Sequence, residues 1–275
     1  MKKLVKISAV VLALLLVAGM VAGCGSKEEE VLYVGMEANY PPFNWTQADD
    51  SNNAAEIQNG GYAGGYDVMI AQKLAEGLGK KVVIVKTDWE GLTPALTSGK
   101  IDVIIAGMSA TADRKETIDF SDNYYTSDLV MVVRKDSKYA SATGIDQFQG
   151  AKITAQLNTF HYNVLDQMDG IDKQSAMATF PDMTIAVQSG KIDGYVSERP
   201  GAVSATVSNP DLMFISFENG KNFTYDMDEV SIAVGIKKGN EDFVKQINEI
   251  LAGITEEERA KMMEDAIKNQ PLQAE

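Results

Sequence analysis

The chain has 275 residues and a formal net charge of −14 at neutral pH. That length is enough for one large domain or for two lobes with separate cores. The negative charge opposes binding to nucleic acid or to an anionic membrane surface, and it mildly favours cationic ligands. Its single cysteine excludes an internal disulfide bond.

The first residues have the features of an export leader. Three lysines stand among the first six residues, and an almost unbroken apolar run occupies residues 7–23. The run is short for a membrane span but long enough for the apolar region of a signal peptide. Residues 21–24 (Val-Ala-Gly-Cys) resemble a bacterial lipobox. We predict a lipoprotein signal peptide over residues 1–23, lipidation of Cys24 and a polar tether over residues 24–30. The alternative is an uncleaved N-terminal anchor.

Short apolar runs then alternate with amphipathic helices, which is typical of mostly parallel sheets. Strands are predicted at residues 31–36, 82–85, 103–106, 152–156, 175–179, 194–196 and 229–236. Helices are predicted at residues 67–78, 160–168, 242–252 and 255–266, and one more begins near Met183. Residues 46–64 are polar and rich in Gly and Asn, which predicts a long surface loop.

One helix–strand unit occurs twice, at an offset of 91 residues. Residues 89–102 correspond to residues 180–193, and both copies end in Ser-Gly-Lys-Ile-Asp. Gly99 and Gly190 are the predicted helix C-caps. The duplication indicates two α/β lobes of related build.

The segment after the strand at residues 103–106 is typical of an anion site. Gly107 ends the strand, Ser109 or Thr111 can cap the next helix, and Arg114 lies just inside that helix. A helix N-terminus presents unpaired N–H groups, and a guanidinium matches a carboxylate. The alternative is an ordinary surface ion pair of Arg114.

Five pieces of the chain, in this order, resemble the amino-acid-binding family of solute-binding proteins that feed ABC importers. They are residues 37–43 (Glu-Ala-Asn-Tyr-Pro-Pro-Phe), 65–68 (Gly-Tyr-Asp-Val), 99–102 (Gly-Lys-Ile-Asp), 106–109 (Ala-Gly-Met-Ser) with Arg114, and 119–125 (Asp-Phe-Ser-Asp-Asn-Tyr-Tyr). The resemblance covers most of residues 31–254.

The resemblance implies a two-lobed α/β fold of the type II periplasmic-binding-protein kind, with mostly parallel sheets and a hinge between the lobes. Lobe 1 would comprise residues 31–125 and 230–275, and lobe 2 would comprise residues 126–229. The chain would cross between them near residues 125–128 and 226–230.

The ligand implied by the resemblance is a free L-amino acid. Its carboxylate would be held by Arg114, by the hydroxyl and N–H of Ser109 and, from lobe 2, by Thr159. Its α-ammonium would be held by the Gly107 carbonyl and by Glu198.

This chain departs from the family pattern at two of these positions. The family usually has Asp where Glu198 stands, and Arg199 could pair with Glu198 instead of leaving it to the ammonium. Asn158 stands where the family often has glycine, although asparagine tolerates left-handed backbone.

Tyr40 and Trp89 would form aromatic walls around the ligand side chain, and ordinary core packing is their alternative. Glu37 could add negative charge near them, or it could be a solvated loop acid. A cationic side chain would gain cation–π attraction and an ion pair there. We therefore rank arginine and lysine first as ligands, neutral polar residues such as glutamine second, and acidic residues last.

The predicted function is a lipid-anchored, monomeric substrate-binding protein that delivers its amino acid to the permease subunits of an ABC importer at the outer face of the cytoplasmic membrane. We expect no enzymatic activity, no cofactor, no metal and no nucleic acid partner. The only histidine, His161, is interpreted as a polar residue in the first turn of a helix.

Two other functions compete with this one. The first is a cyclic-carboxylate dehydratase on the same fold, with Glu198 or Glu37 as the acid or base. The second is a ligand-sensing domain, which would need a downstream membrane or signalling segment, and none follows residue 254.

Overall fold

The computed structural model describes residues 30–271, in which strands and helices alternate. The strands are β1 (Val31–Met36), β2 (Asn39–Tyr40), β3 (Asn44–Gln47), β4 (Ala55–Glu56), β5 (Tyr62–Gly64), β6 (Lys81–Lys86), β7 (Val103–Ile104), β8 (Ile118–Thr126), β9 (Leu129–Arg134), β10 (Lys152–Thr154), β11 (Asp172–Lys173), β12 (Gly194–Glu198), β13 (Leu212–Ile215) and β14 (Ser231–Lys237). The helices are α1 (Tyr66–Leu78), α2 (Leu92–Thr97), α3 (Ala112–Thr117), α4 (Phe160–Asn163), α5 (Phe180–Gln188), α6 (Arg199–Ser208), α7 (Glu241–Ala252) and α8 (Glu256–Asn269).

Two five-stranded sheets of the same design form the centres of the two lobes. Their strand orders are β6-β1-β7-β14-β8 and β11-β10-β12-β9-β13. The first three strands of each sheet are parallel, while β14 and β9 run antiparallel to their neighbours. Each antiparallel strand is the first one after the chain passes from one sheet to the other. The sheets are therefore mixed, although most of their strands run in one direction.

The repeated unit has the same geometry in both sheets. Gly99 and Gly190 adopt left-handed φ angles of 79° and 72°, which glycine allows without a Cβ penalty. The carboxylate of Asp102 accepts the Tyr33 N–H at 2.8 Å, and Asp193 accepts the Lys152 N–H at 2.8 Å. Each aspartate thus connects the third parallel strand to the second by a hydrogen bond. This shared role accounts for the aspartate that ends both copies of the repeat.

Three predicted segments differ from the structure. Residues 46–64 are not a plain loop, because β3, β4 and β5 join β2 in a small four-stranded sheet. Trp45 and Ala63 supply its buried side among polar neighbours, so the polar composition concealed the strands. Residues 175–179 are not a strand; Met177 forms only an isolated bridge with Gln156. The helix predicted to reach residue 168 ends as α4 and continues as a 3₁₀ turn over Val164–Gln167.

Apolar side chains are fully buried on both sheets, for example Leu32 and Val234 in the first cluster and Ile153 and Val196 in the second. Within residues 30–271, no helix combines the length and apolar character needed to cross a bilayer. The predicted signal peptide and Cys24 lie outside the described residues.

Candidate functional site

A cavity between the two lobes collects nearly all of the predicted site residues. Its walls are Tyr40, Trp89, Ala106, Gly107, Ser109 and Arg114 from the first lobe and Gln156, Thr159, Phe160, His161, Phe180 and Glu198 from the second. Glu37 is not one of these wall residues; its carboxylate contacts the wall residue Gln156. The side chains leave room for about one water molecule. A larger molecule therefore does not fit between the side chains as they stand.

Arg114 is a partly buried cation in the cavity wall. The Thr111 hydroxyl caps α3 by accepting the Arg114 N–H at 3.4 Å, which fixes the start of the side chain. The guanidinium donates to two backbone carbonyls, those of Ser109 at 2.9 Å and Asn158 at 3.2 Å. No carboxylate within residues 30–271 forms an ion pair with it. Burial lowers the pKa of Arg114 to about 10, against the opposing charge of Asp113, so it stays cationic at neutral pH.

The helix that begins at Thr111 is short, which changes the sequence-based picture of this site. Since α3 spans only six residues, its macrodipole is small. The guanidinium of Arg114 therefore supplies most of the positive charge at this site. The helix N-terminus supplies less than the sequence predicts.

Glu198 is a buried anion at the end of β12. The Tyr40 hydroxyl donates a hydrogen bond to Oε1, and His161 Nε2 lies 2.8 Å from Oε2. Burial raises the pKa of Glu198, but the charge and close contact of His161 and the hydrogen bond from Tyr40 outweigh it and lower the pKa below its usual value. Arg199 does not pair with Glu198, because its guanidinium binds Asp128, with Nε 2.8 Å from Oδ1.

Glu37 is a second buried carboxyl group, 8% exposed. Its side-chain partner is Gln156, whose Nε2 lies 3.3 and 3.4 Å from the two carboxylate oxygens. Burial raises the pKa of Glu37 to about 7; the Gln156 hydrogen bond opposes this shift and the charge of Asp88 adds to it. The Glu37 carboxyl group is therefore partly protonated at neutral pH. Its partner is the neutral amide of Gln156, whereas a cation would stabilise its charged form.

Asn158 and Thr159 bring the second lobe to Arg114. Asn158 has a φ of 56°, so it adopts the left-handed backbone expected of asparagine in a glycine position. Its carbonyl accepts from Arg114 and from Trp89 Nε1 at 3.4 Å, while its Nδ2 donates to Glu90 at 2.6 Å. Thr159 is buried, and its hydroxyl donates to the Gln156 carbonyl at 2.7 Å.

Tyr40 and Trp89 both line the cavity, but each lies beside a charged group. The Tyr40 hydroxyl reaches Glu198, and its ring stacks on Phe180 with centroids 4.3 Å apart. The Trp89 ring lies under Arg114, with Cζ 5.0 Å from its centroid. Sequence reasoning had placed both aromatic rings around the ligand side chain.

Gly107 is held in place by groups outside the cavity. Its φ is 61°, and a Cβ there would come within 3.1 Å of the Tyr40 ring, so a side chain at this position would be strained. Asp67, fully buried, accepts hydrogen bonds from Asn44 at 2.8 Å and from the Tyr124 hydroxyl at 2.7 Å. Burial raises the pKa of Asp67 to about 6, against the hydrogen bonds from Tyr124, Asn44 and the Gly107 backbone.

Sequence reasoning missed Phe180, Gln156 and the role of His161. Phe180 could have been found, because the repeat places it 91 positions after Trp89. His161 was interpreted as a polar helix residue, whereas the structure sets it against Glu198. No local signal connects residues 161 and 198, since only the fold brings α4 to the end of β12.

The family model of the bacterial extracellular solute-binding proteins, family 3, matches residues 32–268. The chain belongs to this family. This solute-binding protein is 30% identical over 230 residues to the L-cystine-binding protein TcyJ of Escherichia coli (strain K12), covering 82% of this chain and 78% of the relative. It is 32% identical over 203 residues to a probable histidine-binding protein of Campylobacter jejuni, covering 72% of each.

Solved structures agree with the family match. The structure of holo ArgBP from T. maritima superimposes on this solute-binding protein with a TM-score of 0.68 at 29% identity, covering 83% of this chain and 92% of the other. The predicted two-lobed, type II architecture and family are thus confirmed. The relatives are binding proteins, and the chain is accordingly not an enzyme.

Proposed function

We propose that this protein captures a free L-amino acid between its lobes and delivers it to the permease subunits of an ABC importer. The ligand carboxylate binds Arg114, Ser109 and Thr159. The ligand α-ammonium binds the Gly107 carbonyl and Glu198. The two passages between the sheets, near residues 125–128 and 226–230, act as the hinge.

One observation carries this proposal: a guanidinium and a carboxylate line the same small cavity without pairing with each other. Arg114 donates to backbone carbonyls, and Glu198 is contacted by Tyr40 and His161. A zwitterion supplies both opposite charges on neighbouring atoms. Because desolvated charges are costly unless they are paired, such a ligand compensates both groups at once.

Replacing Arg114 tests the carboxylate site. We expect Arg114→Ala to weaken amino-acid binding by about a hundredfold or more, because the ligand carboxylate would be desolvated without a cation. Isothermal titration calorimetry measures the loss. Lys261→Ala is the control, since Lys261 is an exposed cation on α8 that pairs with Asp265 on the same helix. A loss below tenfold, or an equal loss in the control, contradicts the assignment.

The ligand side chain that we propose is cationic, as in arginine or lysine. Glu37 supports this choice, because it is a buried carboxyl group next to the wall residue Gln156, and burial raises its pKa. A thermal-shift panel of the twenty amino acids ranks the candidates, since ligand binding stabilises only the folded state. The panel includes L-cystine, after the name of the Escherichia coli relative, and a prephenate-like cyclic acid as the alternative substrate. A largest shift with glutamate or with an aliphatic amino acid overturns the ranking.

We also propose that the mature protein is anchored to the membrane by a lipid on Cys24. The basic and apolar leader followed by Val-Ala-Gly-Cys supports this proposal. We expect Cys24→Ala to yield unprocessed or soluble protein, because the acylated residue would be missing. Cell fractionation with mobility on gels measures both properties. Ser26→Ala serves as the control, and a Cys24 variant that stays as short and as membrane-bound as wild type contradicts the proposal.

A further inference from the structure

The contact between His161 and Glu198 leaves polar atoms unsatisfied inside the cavity. Nε2 lies 2.8 Å from Oε2, and the two side chains are 12% and 9% exposed. The contact is close enough for an ion pair but is not aligned as a hydrogen bond. Within residues 30–271, Glu198 Oε2 and His161 Nδ1 are both buried without a hydrogen-bond partner. The carboxylate therefore retains acceptor capacity for a ligand.

Aromatic contacts hold the imidazole beside the carboxylate. The Phe160 ring lies 5.0 Å from the His161 ring, and the Phe180 ring meets it edge-on at 6.2 Å. His161 and Glu198 both belong to the second lobe, so their contact does not depend on lobe closure. Tyr40, by contrast, reaches Glu198 from the first lobe. His161 is therefore the partner that Glu198 keeps when the lobes separate.

We propose that His161 is a positioning residue of the ammonium site and sets, by its own charge, how much of the Glu198 charge is offered to the ligand. A neutral imidazole leaves the negative charge of Glu198 to the ligand ammonium. An imidazolium takes that charge in an ion pair and repels the ammonium. Histidine is the side chain whose ordinary charge change falls between pH 5 and 8. This inference rests on the proposed function, because it assumes that Glu198 receives the ammonium.

Other titratable groups also face Glu198, and they set the design of the test. They are Tyr40 on β2, Asp67 on α1, Tyr125 on β8 and Tyr195 on β12, together with Arg114 in the cavity wall and Arg199, which is held by Asp128. Burial raises the pKa of each tyrosine, so these stay neutral below pH 8. Asp67 and Glu37 titrate at about 6 and about 7, mainly because of burial. Comparing variants at the same pH cancels these shared contributions.

A charge series at position 161 tests the inference. His161→Gln is neutral at every pH, and His161→Lys is cationic beside Glu198. Calorimetry measures the dissociation constant of L-arginine from pH 8 to pH 5.5 for both variants and wild type, with L-glutamine as a second probe. We expect wild type to lie within about threefold of His161→Gln at pH 8 and to bind about fivefold or more weakly than it at pH 5.5. We expect His161→Lys to bind about tenfold or more weakly than His161→Gln at pH 8.

The outcomes separate this inference from the proposed function. If wild type and His161→Gln run parallel over the whole pH range, or if the Lys and Gln variants bind equally well, His161 has only a structural role and the inference is overturned. Thermal unfolding shows whether each variant is folded, and His161→Asn supplies the neutral side chain if the Gln variant is not. If wild type binds no amino acid of the panel at any pH, the proposed function itself fails.

Discussion

Glu37, a buried carboxyl group next to the proposed site, illustrates how a single residue can lower the stability of the unliganded protein. Its pKa is about 7 in the folded protein because of burial, against an ordinary value of 4.5. Between pH 4.5 and pH 7 the folded state therefore keeps a proton on Glu37 that the unfolded chain has released. The free energy of unfolding consequently falls as pH rises from about 4.5 to 7, and the loss persists above pH 7. A cation that paired with Glu37 would remove this cost.

Replacing Glu37 should therefore stabilise the unliganded protein at alkaline pH. We expect Glu37→Gln to raise the free energy of unfolding at pH 8 by about 3 kcal/mol more than at pH 4.5, because the amide has no charge to desolvate. The same variant should bind L-arginine about tenfold or more weakly at pH 8. Denaturant unfolding and calorimetry measure the two effects. Glu249→Gln, at an exposed position of α7, is the control. A Glu37 variant that is less stable than wild type at pH 8 would contradict the prediction.

The same carboxyl group makes binding depend on pH. Below pH 7 the ligand cation must displace a proton from Glu37, so the affinity for arginine should fall on acidification. The expected loss approaches about tenfold per pH unit in the range where Glu37 is protonated. Glu37→Gln should lose this component, whereas Glu249→Gln should keep it. Equal pH profiles for wild type and Glu37→Gln would show that Glu37 does not face the ligand charge.

At the scale of elements, the features that the sequence predicted are those set by neighbouring residues. The strand at Val31–Met36 follows from a local apolar run, and the cap of α3 follows from Thr111 two residues before Asp113. The left-handed turn at Asn158 follows from the tolerance of asparagine for positive φ. The duplicated unit predicted two related sheets because each copy carries a left-handed glycine after its helix and an aspartate that bonds the neighbouring parallel strand.

The elements that the sequence did not reveal depend on distant partners. The strands β8 and β9 were not predicted, because their pairing with β14 and β12 joins residues about 60 to 120 positions apart that share no local pattern. The short strands β4 and β5 pair with each other, and β5 also pairs with β3. The charged residues of the site are likewise far apart in the sequence, so they were predicted from the family resemblance. The contact of His161 with Glu198 was found only from the folded structure.

At the scale of the whole molecule, the lobes are joined across the cavity by contacts that can exist only when they are close together. Tyr40 reaches Glu198 and stacks on Phe180, Gln156 reaches Glu37, and Arg114 and Trp89 donate to Asn158. Most of these residues also line the cavity. A ligand that adds contacts to both lobes stabilises this closed arrangement relative to an open one, which is the differential affinity that a population shift requires.

Small-angle scattering should therefore report a smaller radius of gyration with saturating amino acid than without it. Phe180→Ala removes the stacking on Tyr40 and should move the unliganded protein further toward the open form, because an aromatic pair contributes about 1 kcal/mol beyond its buried area. The ligand should then close the variant to nearly the wild-type radius, at a cost of about fivefold in affinity. Phe148→Leu, inside the core of the second lobe, is the control and should leave the open–closed balance unchanged. A radius that stays constant on saturation, in wild type and in the Phe180 variant alike, would show that binding does not proceed by closure of the lobes.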